Sequence, residues 1–145
     1  MSKEVFNCAQ ALLARREHSQ LELKQKLLKK DFDEQVINEV LHKLIELGYQ
    51  SDERYTSVCL RSRANKGYGP NYIRNYLNQR GISIILINES FYDCQVDWFE
   101  CIERVWHKKF NSMPQDLKEQ AKQQNFLYYR GFDTEIISQL FKSRL

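Results

Sequence analysis

At 145 residues, with 42% hydrophobic and 28% charged side chains, the chain has the composition of a folded domain or a short series of small ones, not of a disordered polymer. Five Gly and two Pro supply too few tight turns for an all-β sandwich, so helix is favoured. A net charge of +3 excludes a bulk polycation that would coat nucleic acid indiscriminately. No apolar run approaches the ~18–20 residues of a membrane span, so no membrane contact is expected. The start, "MSKEVFNCAQALLARR", has no apolar core followed by a small-residue cleavage site, so a cytoplasmic protein with reduced cysteines is expected. Cys8, Cys59, Cys94 and Cys101 form no CxxC pair, and His18, His42 and His107 complete no zinc pattern; neither a metal nor another cofactor is expected.

In chain order, the first fifty residues parse as three helices: "EVFNCAQALLARRE", "SQLELKQKLLKK" and "DEQVINEVLHKLIELG". Val36, Val40, Leu41, Leu44 and Leu47 recur at helical spacing in the third and make one apolar stripe. Ser19 suits the start of the second helix, Asp33 the start of the third, and Gly48 the end of the copy. His18, next to a helix start, is expected at the surface.

A shift of fifty residues then reproduces the apolar frame twice more. Leu27, Leu77 and Leu127 align, as do Phe32, Ile82 and Phe132, and Ile37, Ile87 and Ile137. Val36, Leu86 and Ile136 form a fourth column, and Lys30, Arg80 and Arg130 a fifth. Columns at one fixed offset across three copies indicate internal repetition. The predicted fold class is therefore all-α, with three tandem three-helix repeats of about 50 residues, 1–50, 51–95 and 96–145, forming an elongated, curved array. Such a rod would reach roughly 60–70 Å from helix dimensions.

The repeat also accounts for "RGI" and "RGF" at 80–82 and 130–132. Gly81 and Gly131 fall between the second and third helices of their copies, where the chain reverses and a Cβ would obstruct it. Asp31, at the equivalent place in the first copy, tolerates the same left-handed backbone. Ser83 and Asp133 repeat the helix-start role of Asp33, and Pro114 is expected to open the second helix of the third copy.

The stretch from Arg54 to Arg80 departs from a plain bundle, with six bases and no acid in 27 residues, followed by four acids and no base from Gly81 to Glu100. A helix carrying Arg61 and Arg63 is broken by "KGYGP" and resumes from Asn71, with Ile73 and Leu77 inward and Arg74 and Arg80 outward. Tyr68, Tyr72 and Tyr76 recur every four residues. Two readings stand for this stretch. Guanidinium groups and tyrosines together suit a phosphate backbone or an acidic protein groove; equally, tyrosines pack cores and arginines solvate helices. The carboxylate pairs Asp52/Glu53 and Asp93/Asp97 have no histidine, lysine or nucleophile arranged with them, so helix capping explains them better than catalysis. Trp98 and Trp106, eight apart, share one helical face and are expected to pack in the core of the third copy.

Three segments, "LLARREHSQLELKQKLL", "GYQSDERYTSVCLRSRANKGYGPNYIRNYLNQRGI" and "FLYYRGFDTEII", together with "VDWFE", resemble the successive repeats of the RecX family, bacterial regulators of the RecA recombinase. The resemblance runs from about Ala11 to the C-terminus and is strongest in the middle copy. It implies a monomeric protein without catalytic activity that binds in the groove of the RecA–single-stranded-DNA filament. There it would block filament growth, ATP hydrolysis and strand exchange. Carried onto matching positions, the resemblance implies Arg61, Arg63, Lys66, Tyr68, Arg74 and Arg80 as partner-binding residues, with Gly67, Gly69 and Pro70 shaping the turn. Weak contact with single- or double-stranded DNA is compatible with this. The alternative is a free-standing DNA-binding helical repeat protein acting through phosphate contacts. The N-terminal arm that some members carry is expected to be essentially absent, and "SIILIN" to form a shorter third helix.

Overall fold

The computed structural model describes residues 2–144, and among these the chain forms nine α-helices and no strand. They are α1 (Ser2–Arg15), α2 (Gln20–Leu28), α3 (Glu34–Glu46), α4 (Asp52–Asn65), α5 (Pro70–Gln79), α6 (Ile84–Asp93), α7 (Trp98–Lys109), α8 (Leu117–Tyr129) and α9 (Thr134–Ser143). All-α architecture in three three-helix sets is what the fifty-residue period predicted. The described residues fall into two compact units. One runs to Val58 and takes in Leu77–Tyr92; the other comprises Cys59–Tyr76 and continues from Asp93.

The period is physical as well as textual. Leu27, Leu77 and Leu127 are each 0% exposed, and Ile37, Ile87 and Ile137 are buried too. Val36, Leu86 and Ile136, one residue earlier, are half-buried. A helix turns its side chains every 3.6 residues, so three copies with the same register bury the same columns.

In the first unit α1, α2 and α3 pack pairwise around Leu23, Leu27, Ile37, Leu41 and Leu44. Ser19 begins α2 with a capping box: its hydroxyl accepts from the Glu22 amide at 3.1 Å, and the Glu22 carboxylate accepts from the Ser19 amide. Caps of this kind satisfy donors that the first turn leaves unpaired and contribute about 1 kcal/mol. Asp33 caps α3 by accepting from Gln35 N at 2.7 Å, Ser83 accepts from Leu86 N at 3.2 Å, and Asp133 caps α9 by accepting from Ile136 N at 3.0 Å. The turn before each has a positive-φ residue: Asp31 (φ 64), Gly81 (φ 80) and Gly131 (φ 106).

The sequence expectation for His18 was wrong. It is 1% exposed, with Nδ1 3.0 Å from the Arg16 carbonyl oxygen and Nε2 2.9 Å from Lys26 Nζ. A carbonyl only accepts and an ammonium only donates, so Nδ1 carries the proton and the ring is neutral. Burial pushes its pKa below the ordinary 6.5, and the neighbouring Arg16 and Lys26 charges act in the same direction. The turn is further tied down through Gln50, whose amide donates to the His18 carbonyl at 3.1 Å and to Asp52 Oδ1 at 3.0 Å. Asp52 Oδ1 also accepts from Gln20 N at 2.8 Å. That carboxylate joins the start of α2 to the start of α4 and is structural.

In the second unit α7, α8 and α9 surround Ile102, Trp106, Leu127, Phe132 and Leu140. Trp106 is 2% exposed, as expected, and Trp98 packs against the same core. Trp106 Nε1 donates to Gln123 Oε1 at 2.8 Å, while Gln123 Nε2 donates to the Ser112 carbonyl at 3.1 Å. Gln123 is thus a buried, satisfied amide in the column that holds Leu23 and Ile73. Two further expectations need correction. Pro114 does not open α8, which starts at Leu117 and is capped by Asp116, accepting from Glu119 N at 2.8 Å. Leu47, placed on the α3 stripe, is 50% exposed, because α3 ends at Glu46 and the chain turns at Gly48. The "SIILIN" helix, α6, has 10 residues against 13 in α3, but α9 also has 10.

Candidate partner-binding surface

The acid-free stretch forms α4 after its first two residues, a four-residue turn, α5 and the Arg80 that follows it. α4 closes through Gly67 N donating to the Ala64 carbonyl at 3.0 Å and Tyr68 N to the Arg63 carbonyl at 3.0 Å, with Gly67 at φ 91. Only glycine takes that backbone without penalty, and this is the usual helix stop. Pro70 is the first residue of α5, where its missing N–H costs nothing.

Gly69 serves a different purpose from Gly67. Its amide donates to the Arg130 carbonyl at 2.8 Å, and Asn71 N donates to the Gly131 carbonyl at 2.9 Å. A Cβ on Gly69 would lie 2.6 Å from the Gly131 carbonyl carbon, and one on Gly131 would lie 2.5 Å from Tyr72 Cβ. The "KGYGP" turn is therefore docked, backbone to backbone, on the Arg130–Gly131 turn of the third repeat. Both glycines are required by the approach itself.

Above this junction the three tyrosines stack. The rings of Tyr68 and Tyr72 lie 4.0 Å apart at 14°, and those of Tyr72 and Tyr76 lie 6.3 Å apart at 22°. Each end of the stack carries a guanidinium: Arg130 is 4.5 Å from the Tyr68 ring centroid and Arg63 is 4.2 Å from that of Tyr76. Arg63 Nη2 also donates to the Tyr76 hydroxyl at 2.7 Å. Burial works against the charge of Arg63, but Tyr76 and Cys59 outweigh it and hold the guanidinium above the ordinary arginine range. Cation–π contacts of this kind contribute about 0.5–2 kcal/mol each. All three tyrosines are half-buried, so the column is neither deep core nor free surface.

The predicted site residues thus separate by environment. Arg61 and Lys66 are exposed at the end of α4. Arg63 and Tyr68 are half-buried and built into the stack. Arg74 is half-buried on α5 in the same unit as these four, and Arg80, also half-buried, belongs to the first unit. Sequence reasoning did not assign Arg130 to this surface, although the fifty-residue offset aligns it with Arg80; its Nη2 donates to the Lys66 carbonyl at 3.1 Å. On α6, Ile84 and Ile85 are 66% and 68% exposed, so burial does not account for the apolar character of that helix.

Cys101 is 1% exposed, 3.6 Å from the Ala64 carbonyl it donates to, and burial pushes its thiol up, away from the reactive thiolate. Among the described residues no three His, Cys, Asp or Glu side chains group as metal ligands, and no helix is long and apolar enough to cross a membrane.

These features define an all-helical repeat protein whose middle repeat presents a basic, tyrosine-braced helix–turn–helix. Comparison with known proteins is in keeping with that class. Models of the first, second and third three-helix domains of RecX match residues 6–44, 51–90 and 95–141, and the chain belongs to the RecX family. It is 42% identical over 141 residues to the regulatory protein RecX of Pseudomonas entomophila (strain L48), spanning 97% of this chain and 91% of that one. The regulatory protein RecX of Pseudomonas savastanoi pv. phaseolicola (strain 1448A / Race 6) is 39% identical over 141 residues, with the same coverage. Among solved structures, RecX from Lactobacillus salivarius superposes with a TM-score of 0.79 over 98% of this chain and 95% of that one, at 22% identity. A second crystal structure of a regulatory protein RecX gives 0.79 over 96% of this chain and 70% of that one, at 20% identity. These two likenesses speak to the fold.

Proposed function

We propose that the chain is a non-enzymatic negative regulator of RecA, acting in the cytoplasm as a monomer. It lies in the groove of the RecA–single-stranded-DNA filament and blocks filament growth, ATP hydrolysis and strand exchange. Three repeats, 1–50, 51–95 and 96–145, attach along the groove, so that contacts individually weak hold together through high effective concentration. Arg61, Arg63, Lys66, Tyr68, Arg74 and Arg80 form the contact set, and Gly67, Gly69 and Pro70 set its turn.

Family membership supports this reading, and one structural observation carries it. Arg61 and Lys66 stand exposed, with no carboxylate within salt-bridge reach among the described residues, in a stretch that contains no acid from Arg54 to Arg80. Cations left without an internal partner are available to an acidic or phosphate-bearing groove. Arg63 and Tyr68, also in the contact set, are held in place by the stack they belong to.

The test is a titration of RecA-filament ATPase activity with the wild-type chain and with R61E/R74E. The wild type is expected to inhibit at far less than one molecule per RecA subunit. The variant is expected to need roughly tenfold more protein or greater while keeping its helical circular dichroism, a loss of about 1.4 kcal/mol or more. Equal inhibition by a folded variant would refute the placement of the contact face.

A further inference from the structure

A second basic feature lies in the compact unit built from Cys59–Tyr76 and the third repeat. A concavity of about 540 Å³ opens where the end of α4, the last turns of α7 and the end of α8 converge. Its volume is within the range of sites that hold small ligands. Five cations line it, Lys66, Arg104, Lys108, Lys109 and Arg130, and no acidic residue does. We infer that this concavity is a binding site for the phosphate of a nucleotide unit, carried in a single strand or free.

Part of the positive charge has a structural explanation. Arg104 Nη1 donates to the Asn65 carbonyl at 3.2 Å, its Nη2 to the Ala64 carbonyl at 3.4 Å, and Arg130 Nη2 to the Lys66 carbonyl at 3.1 Å. These carbonyls close the end of α4, where that of Ala64 also accepts from Gly67 N, and the guanidinium groups meet the negative end of the helix dipole. Arg104 also reaches Glu100, at 3.4 Å. The remainder has no such account. Lys66, Lys108 and Lys109 are exposed and have no carboxylate within 4.0 Å among the described residues. Arg130 Nε is buried without any hydrogen-bond partner there. An anionic oxygen entering the concavity meets the three exposed lysine ammonium groups, which can donate charge-assisted hydrogen bonds to it.

The floor favours a nucleotide over an acidic peptide. Val105 and Phe126 line it, and Phe126 is half-buried with Lys109 Nζ 5.4 Å from its ring centroid. A site that pairs cations with an aromatic face suits a ligand that pairs phosphate with a flat base; an acidic peptide brings charge alone. Asn65 at the rim adds an amide able to donate and accept toward base edges. The inference does not rest on the RecA reading, because it concerns this chain alone.

The experiment uses the full chain without RecA and a fluorescein-labelled oligothymidylate of about 12 nucleotides, followed by anisotropy across a salt series. K108A/K109A is compared with K29A/K30A, which removes the same charge from exposed positions on the first unit. The salt slope should fall by about 1.4 for two lost strand contacts, and affinity at about 50 mM salt by at least tenfold, in K108A/K109A only. Displacement of the oligonucleotide by thymidine monophosphate would identify a free nucleotide as a ligand, whereas its failure to displace would identify the strand; either result supports the site. Equal losses in the two variants would overturn the inference. So would tighter or equal binding of polyglutamate of matched charge, or no binding of either nucleotide probe by the wild type.

Discussion

Replacing Gly131 by alanine should destabilise the protein far more than the same change at Gly48. Both glycines have positive φ, 106 and 79 respectively, so each substitution costs about 1–3 kcal/mol of backbone strain. The surroundings then separate them. A Cβ at Gly48 meets nothing within 4 Å, whereas one at Gly131 meets Tyr72 Cβ at 2.5 Å, Tyr72 N at 2.6 Å and Gly69 O at 2.9 Å. Two of these atoms are backbone, so no rotamer change relieves the clash. Relief requires the Arg130–Gly131 turn to retreat from "KGYGP", losing hydrogen bonds of 2.8 and 2.9 Å to Gly69 N and Asn71 N. Overpacking adds about 1–3 kcal/mol and the two lost bonds about 1 kcal/mol each. The total for G131A is about 4–8 kcal/mol, against about 1–3 kcal/mol for G48A. Thermal unfolding should be followed both by helical circular dichroism and by tryptophan fluorescence, since Trp98 and Trp106 both belong to the unit containing Gly131. For a chain of this size the lower bound corresponds to a Tm loss of roughly 8–16 °C. A G131A protein that melts within a degree or two of G48A would refute the backbone docking of the second repeat on the third.

Two further outcomes follow from the buried polar groups. His18 is neutral in the folded protein with a lowered pKa, so the unfolded chain takes up a proton first as pH falls. Its contribution is complete above 6.5 and is lost as pH drops from there through the lower folded value. Denaturant titrations between about pH 7.5 and 5.5 should therefore show falling stability in the wild type and a flatter profile in H18Q; identical slopes would refute the assignment. Q123A removes the acceptor of the Trp106 indole and opens a cavity, and should cost about 2–4 kcal/mol in urea unfolding with a change in tryptophan emission; a loss below about 1 kcal/mol would show that the indole finds another partner.

Much of the local structure is legible from the chain alone because it obeys short-range rules. The columns Leu27/Leu77/Leu127 and Ile37/Ile87/Ile137 are buried in every copy since helical periodicity fixes which face turns inward. Asp33, Ser83 and Asp133 cap helices as their position before an apolar run requires. Pro114 misled because proline marks a helix start only when a cap does not follow, and Asp116 two residues later is the stronger signal. His18 misled because its partners, Arg16 and Lys26, lie on opposite sides of a cap whose fold is invisible until the chain turns.

At the candidate surface the division is sharper. The sequence determines that an acid-free, tyrosine-bearing helix–turn–helix occupies the middle repeat, since charge and glycine placement are one-dimensional facts. Which of its cations are free for a partner is a three-dimensional matter. Arg63 is drawn onto Tyr76 and Arg130 onto Tyr68, while Arg61 and Lys66 remain exposed. The cation-lined concavity is likewise assembled from residues up to 65 positions apart, from Asn65 to Arg130. No local rule brings such groups together; packing of one repeat's turn on the next does, because only there can two glycine backbones meet without side chains between them.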